Sequence, residues 1–309
     1  MSNGKSSCAQ CSRRVNLWHP DPIPSPAPPT HKFGLNATPE FTGDRYKQAC
    51  NRLLFYVIRG LIVSLIFGFS NAYALDSTLQ NGLNWLQGQV QTDGSIATEA
   101  NSVATQFQVR TETAYALRDL AVAPSSLIDA IQAESENNNE YASRRLLVST
   151  SSVSAPDVLN ELTIRQNPDG GFGGMPLYQS NPIDTAYALM AAKTLAGKGY
   201  NVSQIVSYGL AYLGSVQSAE GSWARDSQGD IFVTAVVLSA VQEWYSVYSV
   251  GAMTAKAKDW LMVGRTAGSY PQVMDTAAVL YALSGLTNAT DILGPLADNL
   301  RSTQGSDGS

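Results

Sequence analysis

A nine-residue run, Gln166–Gly174 (QNPDGGFGG), has fainter copies elsewhere in the chain: QTDGS at Gln91–Ser95, SAEGSW at Ser218–Trp223, TAGSY at Thr266–Tyr270 and QGSDGS at Gln304–Ser309. Pro, Asp and Gly in this order specify a tight turn. Each copy follows a segment in which apolar residues recur at three- and four-residue steps, the mark of an amphipathic helix. These segments are Leu83–Val90, Val158–Arg165, Gly209–Val216, Ala257–Val263 and Leu296–Leu300. All but the last copy also precede an Ala-rich segment of the same period: Thr113–Leu120, Thr185–Leu195, Thr234–Val241 and Thr276–Leu283. A chain that writes helix, turn, helix repeatedly must bury each pair against the next.

The turn glycines measure the unit. Gly170 to Gly221 is 51 residues, Gly221 to Gly268 is 47 and Gly268 to Gly308 is 40. Gly94 to Gly170 is 76 residues, long enough for a degenerate extra pair, Ser125–Gln132 and Tyr141–Thr150, with Asn137–Asn139 in place of the glycine turn. Small side chains at Ala114, Ala116, Ala186, Ala188, Ala235 and Ala277 allow the second helices to approach closely, while the first helices carry the bulkier Trp85, Tyr212 and Trp260. The expected fold is all-α: an α/α toroid of the α6/α6 type, an inner ring of small-residue helices inside an outer ring. The sixth pair reaches Gly308-Ser309 with only its first helix, near Asp291–Arg301. The toroid is therefore expected to be incomplete at its C-terminus, with an apolar seam open and further modules following Ser309.

Charge and residue distribution narrow the chemistry. Residues 1–74 carry eight Lys/Arg and three Asp/Glu, whereas residues 75–309 carry twelve and twenty-two. An acidic body argues against nucleic acid and anionic membrane as partners. All three cysteines (Cys8, Cys11, Cys50) and both histidines (His19, His31) precede residue 75. The body thus has no means to form a disulfide, a thiolate or imidazole metal site, or a His-based triad. No cofactor and no metal is expected.

Three regions follow. Residues 1–51 form a Pro-rich leader expected to be disordered (DPIPSPAPPT at Asp21–Thr30); its lone Cys8-Ala-Gln-Cys11 pair is read as incidental. In residues 52–74, Arg52 and Arg59 flank the apolar Leu61–Phe69, and Ala72-Tyr73-Ala74 has the small-x-small form of a signal-peptidase site. Export with cleavage after Ala74 is the reading adopted. The alternative is a membrane anchor, since Leu53–Ala74 is 22 residues long, although Arg59 lies within it. A leader this long before the apolar core is unusual, and translation starting downstream, near Leu53–Val57, would account for it. Residues 75–309 are the repeat domain.

The turn-plus-helix unit, above all Gln166–Leu189 (QNPDGGFGGMPLYQSNPIDTAYAL), resembles the prenyltransferase and squalene-cyclase repeat family, whose members form α/α toroids; the likeness covers about residues 78–309. Protein prenyltransferases of that family hold zinc with an Asp, a Cys two residues later and a distant His. Asp184 matches the Asp, but Ala186 stands at the Cys position and no His follows His31. Class II cyclases use DxDDTA, whose middle Asp protonates the substrate. The matching frames, Asn181–Ala186 and Gln272–Ala277, put Ile183 and Met274 at that acid. The resemblance therefore implies the toroid without the zinc or acid chemistry.

Glu112, Asp184 and Asp275 each stand just before the Thr-Ala of an inner helix. Acids there cap a helix and complement its dipole, worth about 0.3–1 kcal/mol each. They would also converge on one mouth of a toroid, where they are the candidate catalytic groups. Tyr178, Tyr187, Trp223 and Tyr281 are candidate ligand-lining aromatics, set against an ordinary core role. The expected function is an exported, non-catalytic toroid module binding a small molecule or an extracellular protein. The alternative is a carboxylate-dependent enzyme, either an isoprenoid cyclase variant or a glycan-cleaving α/α barrel.

Overall fold

The computed structural model describes residues 77–97, 104–119, 123–134, 138–148, 155–224, 228–264, 270–287 and 290–309. The expected leader, the expected export signal and its cleavage site, all cysteines and histidines, and the Thr266–Ser269 part of the fourth turn lie outside the described residues.

The described residues form helices joined by turns, with only two isolated bridges, Val90 to Ile96 and Phe172 to Asn181. The helices are α1 Ser77–Gln89, α2 Gln106–Asp119, α3 Ser125–Gln132, α4 Asn139–Val148, α5 Ala155–Arg165, α6 Pro182–Gly197, α7 Ser203–Val216, α8 Ile231–Gln242, α9 Gly251–Val263, α10 Val273–Ser284 and α11 Thr290–Thr303. Odd and even helices alternate between two layers. The even helices pack in succession, α2 on α4, α4 on α6, α6 on α8 and α8 on α10, and each odd helix after α1 packs on the even helix that precedes it. This is the expected α/α arrangement, with the second helix of each pair inside. It includes the degenerate pair, which is α3 and α4.

The inner position follows from composition. α6 and α8 are apolar on all sides, and a helix of that kind is stable only when surrounded. Ten of the sixteen residues of α6 and eight of the twelve of α8 are buried. Asn181 caps α6 through the Asp184 N–H and Asp230 caps α8 through the Val233 N–H. One large apolar cluster runs from α4 to α11, and a smaller one joins α1 to α4 around Leu83, Phe107, Leu117 and Leu127.

The turns tie the two layers together. Gln166 donates to the Gly170 carbonyl and, across the groove, to the Ile205 carbonyl of α7, at 2.8 and 3.0 Å. Gln217 does the same with Gly221 and with Met253 of α9, at 2.9 and 3.0 Å, and Gln304 donates to Gly308 at 2.9 Å. Two residues past the glycine, the backbone N–H of Phe172, Trp223 and Tyr270 donates to the hydroxyl of Thr185, Thr234 and Thr276, at 2.9, 3.0 and 3.1 Å. The Thr of these three Thr-Ala pairs is therefore the acceptor that fastens its turn to its inner helix.

The turn glycines Gly94, Gly170, Gly221 and Gly308 have φ of 80°, 88°, 110° and 96°. Each lies against a backbone carbonyl of the next outer helix: Ser126 of α3, Tyr208 of α7, Lys256 of α9 and, for Gly308, Asn81 of α1. The left-handed backbone and the close approach both require glycine. The last contact returns the chain to its first helix and joins the two ends of the outer layer, which has six helices to the five inner ones among the described residues.

Candidate functional site

At the N-terminal end of the inner helices, α4 brings a guanidinium among acids from three helices. Arg144 is 5% exposed. Its Nε donates to Glu140 one turn earlier at 2.7 Å, and its other nitrogens donate to Glu112 and Thr111 of α2 and to the Tyr187 hydroxyl of α6. It also lies over the Tyr187 ring, 4.3 Å from the centroid. Gln108 of α2 donates to the same Glu140 oxygen at 2.9 Å. Burial opposes the charge on Arg144, but the Tyr187 oxygen, Glu112 and Glu140 outweigh it, and its pKa lies above the ordinary guanidinium value. Burial pushes the Tyr187 phenol up, so it remains protonated and able to donate.

Asp184 sits beside this cluster in the first turn of α6, 8% exposed. Its carboxylate accepts from the Asn181 side-chain amide. Burial raises its pKa to about 6; the Asn181 hydrogen bond works against that shift and the Glu140 charge adds to it. Asn139, the first residue of α4, donates its backbone N–H to Gly174 at 2.9 Å and its amide to Gly173, holding the glycine loop against the mouth.

The sequence-derived candidates are dispersed by the structure. Asp184 and Glu112 join the Arg144 cluster, directly or through Glu140. Glu112 does not cap a helix: α2 begins at Gln106, seven residues earlier than the Thr-Ala pattern indicated, so Glu112 lies in the second turn with its side chain 64% exposed. Asp275 stands in the first turn of α10, where burial and then the neighbouring Asp230 raise its pKa. Tyr187 is buried under Arg144. Trp223 is wholly buried, its indole N–H donating to the Leu213 carbonyl at 2.8 Å, which is a core position closed to ligand. Tyr178 lies outside any helix, 64% exposed, and Tyr281 is 63% exposed on α10. The sequence reading missed Arg144, Glu140, Gln108 and Asn139. The Glu140–Arg144 spacing of four residues on an inner helix was the available signal, since such a pair shares one helix face.

Chemically, the mouth offers a buried cation held by two carboxylates, a phenol and a neighbouring acid that titrates near neutrality. Among the described residues no group of three or more His, Cys, Asp or Glu is placed to hold a metal ion, and no helix is long and apolar enough to cross a membrane.

No family model matches the chain, and no curated protein matches it. Among solved structures, the chain is similar to ent-copalyl diphosphate synthase from Streptomyces platensis, at 20% identity and a TM-score of 0.52, over 74% of this chain. It spans about half of that enzyme, 49% of its length. The likeness establishes the terpenoid-cyclase fold, an α/α helical toroid, and the repeat pattern in the sequence agrees with it.

Proposed function

We propose that the toroid is an exported binding module that takes a small molecule or an extracellular protein at the N-terminal mouth of its inner helices, without the zinc or acid chemistry of cyclases and prenyltransferases. The observation that carries this reading is the engagement of the mouth's polar groups. Glu112 and Glu140 are tied to Arg144, and Asp230 is occupied as a helix cap. Where a cyclase would place its proton donor stand the apolar Ile183 and Met274. A partly exposed carboxylate, Glu112, beside a fixed guanidinium suits recognition of a polar or cationic group on a ligand. Native mass spectrometry of the protein from its source cells tests the proposal: a stoichiometric adduct is expected, lost on Arg144→Met. Adduct-free spectra in every condition would remove the small-molecule reading and leave a protein partner.

One observation favours a second reading. Asp184 is a buried carboxyl with a pKa of about 6, suited to general-acid work near neutral pH. If the chain is a carboxylate enzyme, Asp184→Asn abolishes turnover of an isoprenoid or glycan substrate while the fold persists. Unchanged turnover in that variant excludes Asp184 from the reaction.

A further inference from the structure

Three Asn-x-Ser/Thr triplets without a central Pro occur in the sequence: Asn36-Ala37-Thr38, Asn201-Val202-Ser203 and Asn288-Ala289-Thr290. The first falls in the expected leader. The other two fall at the same point of the repeat, where the chain leaves an inner helix for the next outer one, between α6 and α7 and between α10 and α11. Asn288 and Ala289 lie outside the described residues, whereas the α6–α7 connector is described throughout.

That connector is held in one shape. Gly199 has a φ of 90°, and the N–H groups of Gly199 and Tyr200 donate back to the Ala196 and Leu195 carbonyls at 3.0 and 3.1 Å, closing the end of α6. Val202 is buried in the core, while Asn201 and Ser203 on either side of it are exposed. The Asn201 side-chain oxygen accepts from the Ser203 N–H at 3.1 Å and from the Ser203 hydroxyl at 2.8 Å. Its amide nitrogen makes no hydrogen bond among the described residues. The triplet thus presents an open carboxamide nitrogen, and the hydroxyl two residues on fixes the amide oxygen. An exposed Asn-x-Ser of this kind on the surface of an exported protein is an acceptor for a glycan.

We propose that Asn201 is N-glycosylated. The co-reactant is an oligosaccharide linked to a polyprenyl phosphate or diphosphate, delivered by its transferase. The Asn201 Nδ2 attacks the anomeric carbon: the C–N bond forms, the C–O bond to the phosphate breaks, the lipid-linked phosphate leaves with the bonding pair, and one amide proton passes to a base of the transferase. No oxidation or reduction is involved. The 16 residues of α6 span about 24 Å at 1.5 Å per residue. A glycan on Asn201 therefore projects from the opposite end of α6 to the Arg144 cluster and leaves that mouth open. The modification rests on the export part of the proposed function and not on a ligand at the mouth.

Peptide mapping by mass spectrometry of the protein from the medium of its source cells tests this. A glycan is expected on the Asn201 peptide, and its removal by a peptide-N-glycosidase should convert Asn201 to aspartate. Ser203→Ala should lose that glycan and Ser203→Thr should keep it, a distinction that a merely structural Ser203 would not make. Exported protein with an unmodified Asn201 overturns the proposal and leaves the export reading standing. Glycan on Asn201 that survives Ser203→Ala also overturns it, because the triplet is then not what is recognised. Protein kept inside the cell, uncleaved and unmodified, overturns both. Glycosylated protein that takes no ligand upholds the proposal and removes the small-molecule reading alone.

Discussion

Burial lifts the Asp184 carboxyl to about 6, above the ordinary carboxylate value of 3.8, and an acid shifted in that direction stabilises the fold only while it is protonated. Its contribution is complete below about pH 4, falls as pH rises through 6, and is gone above that. The effect is on the order of 3 kcal/mol. Asp184→Asn keeps an acceptor for Asn181 and cannot ionise. It should flatten the fall in Tm between pH 4 and 6, and at pH 7 the variant should melt at or above the parent. Parallel pH curves for the two proteins would show that Asp184 does not titrate as described. Gly88, in the last turn of α1 with open space around its missing Cβ, gives the opposite sign of test. Gly88→Ala should stabilise by about 0.5–1 kcal/mol in thermal melts. At this scale the sequence was a poor guide. It marked Glu112, Asp184 and Asp275 as first-turn acids; Asp184 and Asp275 do stand in the first turns of α6 and α10, Glu112 does not, and the side chains that cap α6 and α8 are Asn181 and Asp230. Beyond the local Glu140–Arg144 spacing, the role of Arg144 was hard to see because its other partners, Glu112, Thr111 and Tyr187, come from two helices distant in sequence.

At the scale of the element, the repeated unit is a turn fastened at both ends. Thr234→Val preserves shape but removes the acceptor for the Trp223 N–H, leaving a buried donor unsatisfied. A loss of about 1–3 kcal/mol is expected in denaturant unfolding. Gln217→Ala removes two bonds, one within the turn and one to α9, and should cost a similar amount. Hydrogen exchange should quicken in α9 and little elsewhere. Elements were the most legible part of the chain. Periodicity placed both helices of each pair, and Ala-rich composition assigned the second to the inside, because a helix apolar all round has no other stable location. Their starts were less legible: QFQVRTE in α2 lacks an apolar stripe, and seven helical residues were read as loop.

For the whole molecule, the toroid was legible from the period of the glycines. The closure of its outer layer was not, because it depends on a contact between Gly308 and Asn81, 308 − 81 = 227 residues apart, and no local pattern encodes so distant a meeting. Gly308→Val adds a Cβ against the Asn81 carbonyl at a φ of 96°. It should lower Tm and speed exchange in α1 and α11 together, leaving α6 and α8 protected. If only α11 responds, the two ends are not joined. The meeting has a further consequence for how the molecule forms and fails. Every other turn links neighbours a few dozen residues apart and can form as soon as those neighbours exist. The Gly308 contact is a clasp: it must find its mate after nearly the whole domain has been assembled, with the largest loop-closure entropy of any turn. Folding should thus end there, unfolding should begin there, and a necklace of helix pairs that is otherwise uniformly strung has one place where it comes undone.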